Sequence, residues 1–426
     1  MNSDLPHAAT HSSLDIFQKP SILVNFESGN NQEIFPTGSL DGPNLEFSIA
    51  TDRHVFIDMQ NIYFDLAAKL VKGSNADLEY DNTTAGTKDE VMFVNNIMHS
   101  LFSNCDVLIN NELVHTSNGQ YAHKAMIETE MSHTSGTKES LMYCQGYTYE
   151  KVPHQLTDRV FTDRKDLTKK SEEVHLFGKL AVDIFNCDKL LLPNTNIRIK
   201  LIRNSPNFCL ISSEDTKGFR IKFIHASLHV RQLTVSESVH RSISNALSKS
   251  PARYIFPEIR PKSFIIPNGQ NQFIRENIFS NEPVRRIALA MNLNADFTGA
   301  MRTNPFNYRK FDLREIRISR GGQPLVMMNL ENNVRPYFNT MKSLNFDQDG
   351  PGIPLIDFDN HYILVFDLTS TQQADTEIYY PEVIGSGIRI ELYFSKAVAA
   401  PIELIVLGEK LSTVFIHGDG RVIKDG

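Results

Sequence analysis

Short runs in which apolar and polar residues alternate recur along most of this chain of 426 residues. That two-residue period is the mark of half-buried β-strands. It is clear at Leu45-Glu46-Phe47-Ser48-Ile49 and at Ile197-Arg198-Ile199-Lys200-Leu201-Ile202. It extends over most of residues 219–230. Further strands are expected at 54–59, 63–66, 174–180 and 190–192 in the first half. In the second half they are expected at 272–274, 284–293, 313–318, 362–368, 388–394 and 402–407. Residues 93–133 read as helix, hairpin, turn and helix. Val94, Ile97, Met98 and Leu101 have helical spacing, Asn110-Asn111 supplies a tight turn, and Ala122, Met126 and Ile127 open a second helical pattern. Asn accepts the positive φ that such a turn requires. An amphipathic helix is expected over Glu237–Leu247, with Ser236 as its cap and Val239, Ile243 and Leu247 on one face. Residues 73–90 and 132–172 read as polar, irregular loops.

The two halves parallel each other. Residues 196–201 are matched by 387–392, and the Asn110-Asn111 hairpin by 316–325, whose turn is Gly321-Gly322. The helix at Tyr121 has a loose counterpart at 335–339, and 219–230 corresponds to 402–416. A spacing of about two hundred residues means duplicated domains and not a solenoid. With eight strand candidates at most in each half and no βαβ alternation, the expected fold is mainly β. It consists of two tandem eight-stranded antiparallel jelly rolls with short helices in the connecting loops. The expected boundaries are an arm at 1–40, a first roll at 41–235, a linker with a short helix at 236–262, and a second roll with its tail at 263–426. The linker is placed where Pro251, Pro257, Pro261 and Pro267 punctuate the chain.

Composition narrows the function. A net charge of −7 argues against a protein built to grip nucleic acid. No apolar run reaches the ~18 residues of a membrane span. The opening MNSDLPHAATHSS lacks the basic and apolar regions of a secretory signal, so glycosylation at the Asn82-Thr83-Thr84 sequon is not expected. Cys105, Cys144, Cys187 and Cys209 have no CxxC spacing and read as free thiols in a reducing compartment.

Candidate chemistry is thin. His225 and His229 lie in a strand pattern, where four residues span ~13 Å, too far apart to share one ion readily. His115, His123 and His133 share no regular face. Gly385-Ser386-Gly387 lacks the third glycine of a phosphate loop, Ile390 standing in its place, and precedes a strand. Asp347-Gln348-Asp349 and Asp357-Phe358-Asp359 lack the ligand spacing of an EF-hand. The clusters Arg164-Lys165, Lys169-Lys170 and Arg285-Arg286 read as solvated surface, or as weak, sequence-independent contacts to a nucleic-acid backbone. No catalytic, cofactor-binding or metal-binding residue is assigned, and no cofactor is expected.

Several motifs together carry a resemblance. The 93–133 unit, with Tyr121-Ala122-His123-Lys124-Ala125-Met126-Ile127-Glu128-Thr129, is similar to a segment of double jelly-roll major capsid proteins of the polinton (Maverick) and adintovirus-like group. Ser13-Leu14-Asp15-Ile16-Phe17, Gly42-Pro43-Asn44-Leu45-Glu46-Phe47, Phe56-Ile57-Asp58-Met59, Phe297-Thr298-Gly299 and Asn304-Pro305-Phe306-Asn307-Tyr308 resemble further segments, in order, over residues 13–420. The sequence departs from the pattern at Ala122, where Pro is expected, and in the unmatched loop 132–172. The resemblance implies a non-enzymatic virion protein made and assembled inside a host cell. It implies homotrimers of pseudo-hexagonal outline tiling an icosahedral shell, with a single jelly-roll penton protein as partner and packaged double-stranded DNA touched only non-specifically. Two rival classes remain: a carbohydrate- or protein-binding sandwich, and a cupin-type metal enzyme, for which no ligand set assembles.

Overall fold

The structure is a computed structural model that describes residues 25–81, 86–87, 89–153, 159–213, 217–346, 350–374 and 387–425. The Ser13–Phe17 motif, the sequon, Asp347–Asp349 and Gly385-Ser386 lie outside the described residues.

The first half holds β1 (Phe26–Ile34), β2 (Asn44–Ala50), β3 (Val55–Val71), the small hairpin β4 (Tyr80–Asp81) and β5 (Gly86–Thr87), and β6 (Val91–Phe93). After the one-turn helix α1 (Ile97–Ser100) come β7 (Phe102–Ile109), β8 (Glu112–Thr116), α2 (Tyr121–Ser132), α3 (Ser135–Glu139) and α4 (Arg159–Leu167). Then follow β9 (Val174–Gly178), β10 (Asn196–Arg203), α5 (Pro206–Cys209), β11 (Leu210–Ser212), β12 (Arg220–Val235) and α6 (Glu237–Leu247). The second half holds β13 (Ala252–Ile266), β14 (Gln272–Ile278), β15 (Arg286–Leu293), α7 (Asn294–Thr298), β16 (Leu313–Arg320) and β17 (Gln323–Asn329). It closes with α8 (Val334–Ser343), β18 (Ile363–Asp367), β19 (Ile388–Phe394), β20 (Ile402–Ile416) and β21 (Val422–Asp425).

Eight strands of the first half form two antiparallel sheets, β1-β12-β3-β9 and β2-β10-β7-β8. The second half repeats the order as β13-β20-β15-β18 and β14-β19-β16-β17, with β21 added against β20. Each half is therefore a jelly roll, and the correspondence runs strand for strand. Alternation explains the layers. In β10, Ile197, Ile199 and Leu201 face the core; in β19, Ile388, Ile390 and Leu392 do so.

One apolar cluster fills the first roll, and a second fills the other. The first also takes in Ala290, Ile363, Val365, Ile405 and Leu407, from the outer face of the second roll's β13-β20-β15-β18 sheet. Their neighbours Leu289, Leu364, Leu404 and Val406 point the other way, into the second cluster. β20 is accordingly buried on both faces for nearly its whole length. The first cluster therefore spans the boundary between the rolls, and this sheet separates it from the second.

The structure corrects several expectations. β1 lies inside the stretch expected as an arm, and β13 begins at Ala252, inside the expected linker. Both are edge strands. β1 has almost every side chain exposed and so shows no alternation. Pro257 and Pro261 sit within β13, which pairs only with β20. Their spacing of four turns both missing N–H positions to the same, unpaired edge, where proline is tolerated. The expected helix before β7 is a single turn, because Val94 to Leu101 line the core around a bend entered through left-handed Asn96, φ 50°. Residues 132–172 contain α3, α4 and 3₁₀ turns at 142–145 and 169–171. The expected strand at 190–192 reduces to one bridge, Leu191 to Ile57. Ser236 stands at the start of α6, but its hydroxyl pairs with that of Ser238 at 3.2 Å and does not cap the helix.

Candidate assembly seam and outer surfaces

α2 starts after a turn through Asn118 and Gly119, both at positive φ. Ten of its twelve residues are buried, which means that it lies between two packed bodies and not on a surface. One side meets the first roll. The other lines an inter-roll cavity of about 100 Å³, where Ile127 and Met131 stand near Ile259, Ala288, Val365 and Leu407.

Charged groups are buried along this seam. Lys124 Nζ donates to Asp183 Oδ1 at 2.8 Å and to the Ala181 carbonyl at 3.1 Å. It also sits 2.8 Å from Glu128 Oε1. Asp183 in turn accepts the backbone N–H of Ile259, from β13, at 3.0 Å. Burial alone lowers the Lys124 pKa, but the Asp183 and Glu128 carboxylates outweigh it and hold the ammonium charged. Burial raises Glu128 to about 7, against the pull of Lys124. Burial, with Lys124 adding to it, pushes His115 down to about 3, so this ring is neutral.

A second group continues the seam. Lys138 Nζ donates to the carbonyls of Glu130 at 2.7 Å and of Pro351 at 2.8 Å. Tyr147 donates to Glu130 Oε1 at 2.9 Å. Glu150 pairs with Arg164 and accepts from Asn304 Nδ2 at 2.7 Å. His361 Nε2 donates to the Glu150 carbonyl at 2.7 Å, and its ring stacks on Tyr149 at 5.2 Å. Tyr149 donates to Asp357 at 3.1 Å. These partners come from both halves of the chain. Removing one member of such a buried set leaves its partner charged and unsolvated, so the set fixes one relative placement of the rolls.

The residues weighed from the sequence are dispersed. His225 lies 3.6 Å from Glu33 and His229 3.5 Å from Asp65, on one sheet face but with separate partners. His115 is in the seam. His123 is boxed by Phe297, Phe208 and Phe306 and meets the Tyr308 hydroxyl at 3.1 Å. His133 is near neither. Among the described residues no group of three or more His, Cys, Asp or Glu is placed to hold a metal ion. Asp357 is buried while Asp359 is exposed, so these two do not form a loop site. Gly387 leads directly into β19. Two of the basic clusters are not solvated surface. Arg164 is buried on Glu150, and Arg285 and Arg286 both grip Glu409, at 2.8 and 2.9 Å. Lys165 pairs with Glu90 at 3.0 Å, and of these four basic residues of the 164–170 segment only Lys170 is exposed. Cys105, Cys187 and Cys209 are buried and Cys144 is exposed, all four as free thiols. The seam charges escaped sequence reading because Lys124 and Glu128, four apart on a helix, look like an ordinary exposed pair.

Among the described residues no helix is long and apolar enough to cross a membrane. Large apolar side chains are nevertheless exposed: Val334 and Phe338 on α8, Leu325 and Met327 on β17, and Phe177 on β9.

Two side-by-side rolls of identical strand order, locked by a buried seam, define a double jelly-roll protein. The comparisons agree on the fold. A chain of the Sputnik virophage superposes with a TM-score of 0.67 at 11% identity, covering 99% of this chain and 93% of its own. The mavirus major capsid protein matches at 0.56 and 10% identity, over 100% of this chain and 96% of its own. The Faustovirus major capsid protein matches at 0.59 and 10% identity, over 94% and 92%. In sequence, the chain is 21% identical over 372 residues to an uncharacterized protein of Caenorhabditis elegans, covering 84% of this chain and 86% of that protein. No protein-family profile matches the sequence.

Proposed function

We propose that this chain is a major capsid protein of the polinton (Maverick) and adintovirus-like group. In this reading it assembles as homotrimers that tile an icosahedral shell around double-stranded DNA. The observation that carries the reading is the strand-for-strand duplication of the roll. Three copies of a chain with two near-equivalent rolls present six similar bodies, which is what a pseudo-hexagonal tile needs. The rigid inter-roll seam supports it, since a tile must hold its shape while its neighbours dock. The fold shared with viral capsid chains across nearly the whole length supports it too. The role is structural and non-enzymatic, and the site of action is the virion, after assembly inside the host cell. A single jelly-roll penton protein would close the vertices. Contact with packaged DNA would be weak and sequence-independent, since Arg164, Arg285 and Arg286 are already engaged by carboxylates. The two rolls divide within residues 236–251, at α6.

Light scattering of the purified chain at micromolar concentration tests the reading. A mass of three times the 48.3 kDa chain is expected, with hexagonal particles or closed shells in electron micrographs. A stable monomer that binds glycans on an array would replace the capsid by a lectin-like module.

A further inference from the structure

The internal duplication gives a physical guide to how two copies meet. Within one chain, α2 is the first helix after β8, and it seats on the outer face of the second roll's β13-β20-β15-β18 sheet. The equivalent helix after β17 is α8. One side of α8 packs against the edge strand β18, where Asn339 Nδ2 donates to the Val365 carbonyl at 3.2 Å and Thr340 Oγ1 accepts the Val365 N–H at 3.2 Å. Its other side is open: Val334 is 63% and Phe338 69% exposed, one turn apart. Among the described residues the equivalent outer sheet face, on the first roll's β1-β12-β3-β9, is left partly open. β12 keeps one face half-exposed where β20 is buried on both. That open face carries an aromatic patch, with Tyr63 and Phe177 stacked at 5.5 Å and the His229 ring 5.6 Å from Phe177. Each chain thus has one helix with an open apolar side and one sheet face without a helix on it.

We propose that the Val334–Phe338 face of α8 docks on the outer face of β12, β3 and β9 of a second copy of this chain. The contact repeats between molecules what α2 and the second roll do within one. It deepens the assembly reading above and rests on it. Because the two surfaces differ, the contact is heterologous, and such contacts close into rings when the rotation permits. The chemistry suits a contact between chains. Aromatic anchors meet a rim that is polar, with exposed Arg335 on the helix facing a sheet that bears Asp65 and Glu33.

Two measurements test this. Phe338→Glu is expected to weaken self-association by about tenfold or more, as removal of a central aromatic anchor does. Its melting temperature as a monomer should not change, because the side chain is mostly in water. In the second, Cys144→Ser removes the exposed thiol, and Phe338→Cys is combined with Phe177→Cys. A short bis-maleimide should then join chains up to covalent trimers, and each cysteine variant alone should stay as single chains. If the wild type is monomeric, the assembly reading itself fails. If the wild type is a trimer, but Phe338→Glu leaves it intact and the double-cysteine chain does not cross-link, this docking is wrong. Dimers from Phe338→Cys alone would also overturn it, since they would place α8 against α8.

Discussion

His123 shows how the interior treats a titratable ring. It stacks on Phe297 at 4.6 Å, meets Phe208 and Phe306 edge-on, and has the Tyr308 hydroxyl as its hydrogen-bond partner. Burial pushes its pKa from the ordinary 6.5 down to about 4. The sign follows from proton uptake. As pH falls below 6.5 the unfolded chain takes up a proton that the folded chain refuses until about 4, so stability is lost across that window. His123→Phe removes the proton site and keeps the ring. Near pH 8 the variant is expected to be about 1 kcal/mol less stable, for want of the Tyr308 bond. Between pH 6.5 and 4 it should gain on the wild type by about 1.4 kcal/mol per pH unit, reaching about 3 kcal/mol. Denaturant unfolding of both chains at several pH values measures the difference. Parallel curves would mean that His123 is not buried as described.

The β7–β8 hairpin is the clearest element. Asn110 and Asn111 both adopt positive φ, 48° and 69°, as a two-residue turn of this hand requires. Asn110 also works as a clip. Its Oδ1 accepts the Asn196 N–H at 2.9 Å, and its Nδ2 donates to the Gly420 carbonyl at 2.8 Å, tying the first roll to the turn before β21. Asn110→Ala loses the backbone fit and both bonds, and about 2 kcal/mol of stability is the expected loss. Asn110→Gly should lose less, since glycine keeps the backbone conformation; thermal unfolding of the pair separates the two contributions. This hairpin was legible because asparagine marks the turn and alternation marks the strands. β2, β10, β16 and β19 were legible for the same reason, each having one wet face and one dry one. β1 and β13 were not, because an exposed edge imposes no pattern and Pro257 and Pro261 look like breaks. The single turn of α1 passed for a longer helix because a bend around a core mimics helical spacing. The seam was hidden as well: nothing local distinguishes a lysine bound for the interior from one bound for water.

At the scale of the molecule, the two rolls are equivalent in topology but not in environment. In the second roll both faces of the central strand β20 are dry, one against its own core and one against the first roll. The matching sheet of the first roll has one wet face. The difference is written in the strands themselves. β20 reads Ile402-Glu403-Leu404-Ile405-Val406-Leu407, nearly all apolar, while β12 intersperses His225, His229 and Arg231. The two copies of the fold thus differ: the second has β20 covered on its outer face, and the first leaves the outer face of β12 half-exposed.

That doubly buried strand bears on how the protein comes to exist in a cell. A ribosome finishes the first roll well before residues 402–416 emerge. The surface that shelters β20 is therefore waiting when it appears, and the order of synthesis guards against the sticking together of nascent chains. Made alone, residues 252–425 would present that dry face to water. They are expected to collect in the pellet after cell lysis, and to stay in the supernatant when residues 1–251 are produced beside them as a separate chain. A freely soluble, monomeric second roll would show that its outer face needs no shelter. The linear order of the two halves is, on this view, part of what keeps the protein out of inclusion bodies.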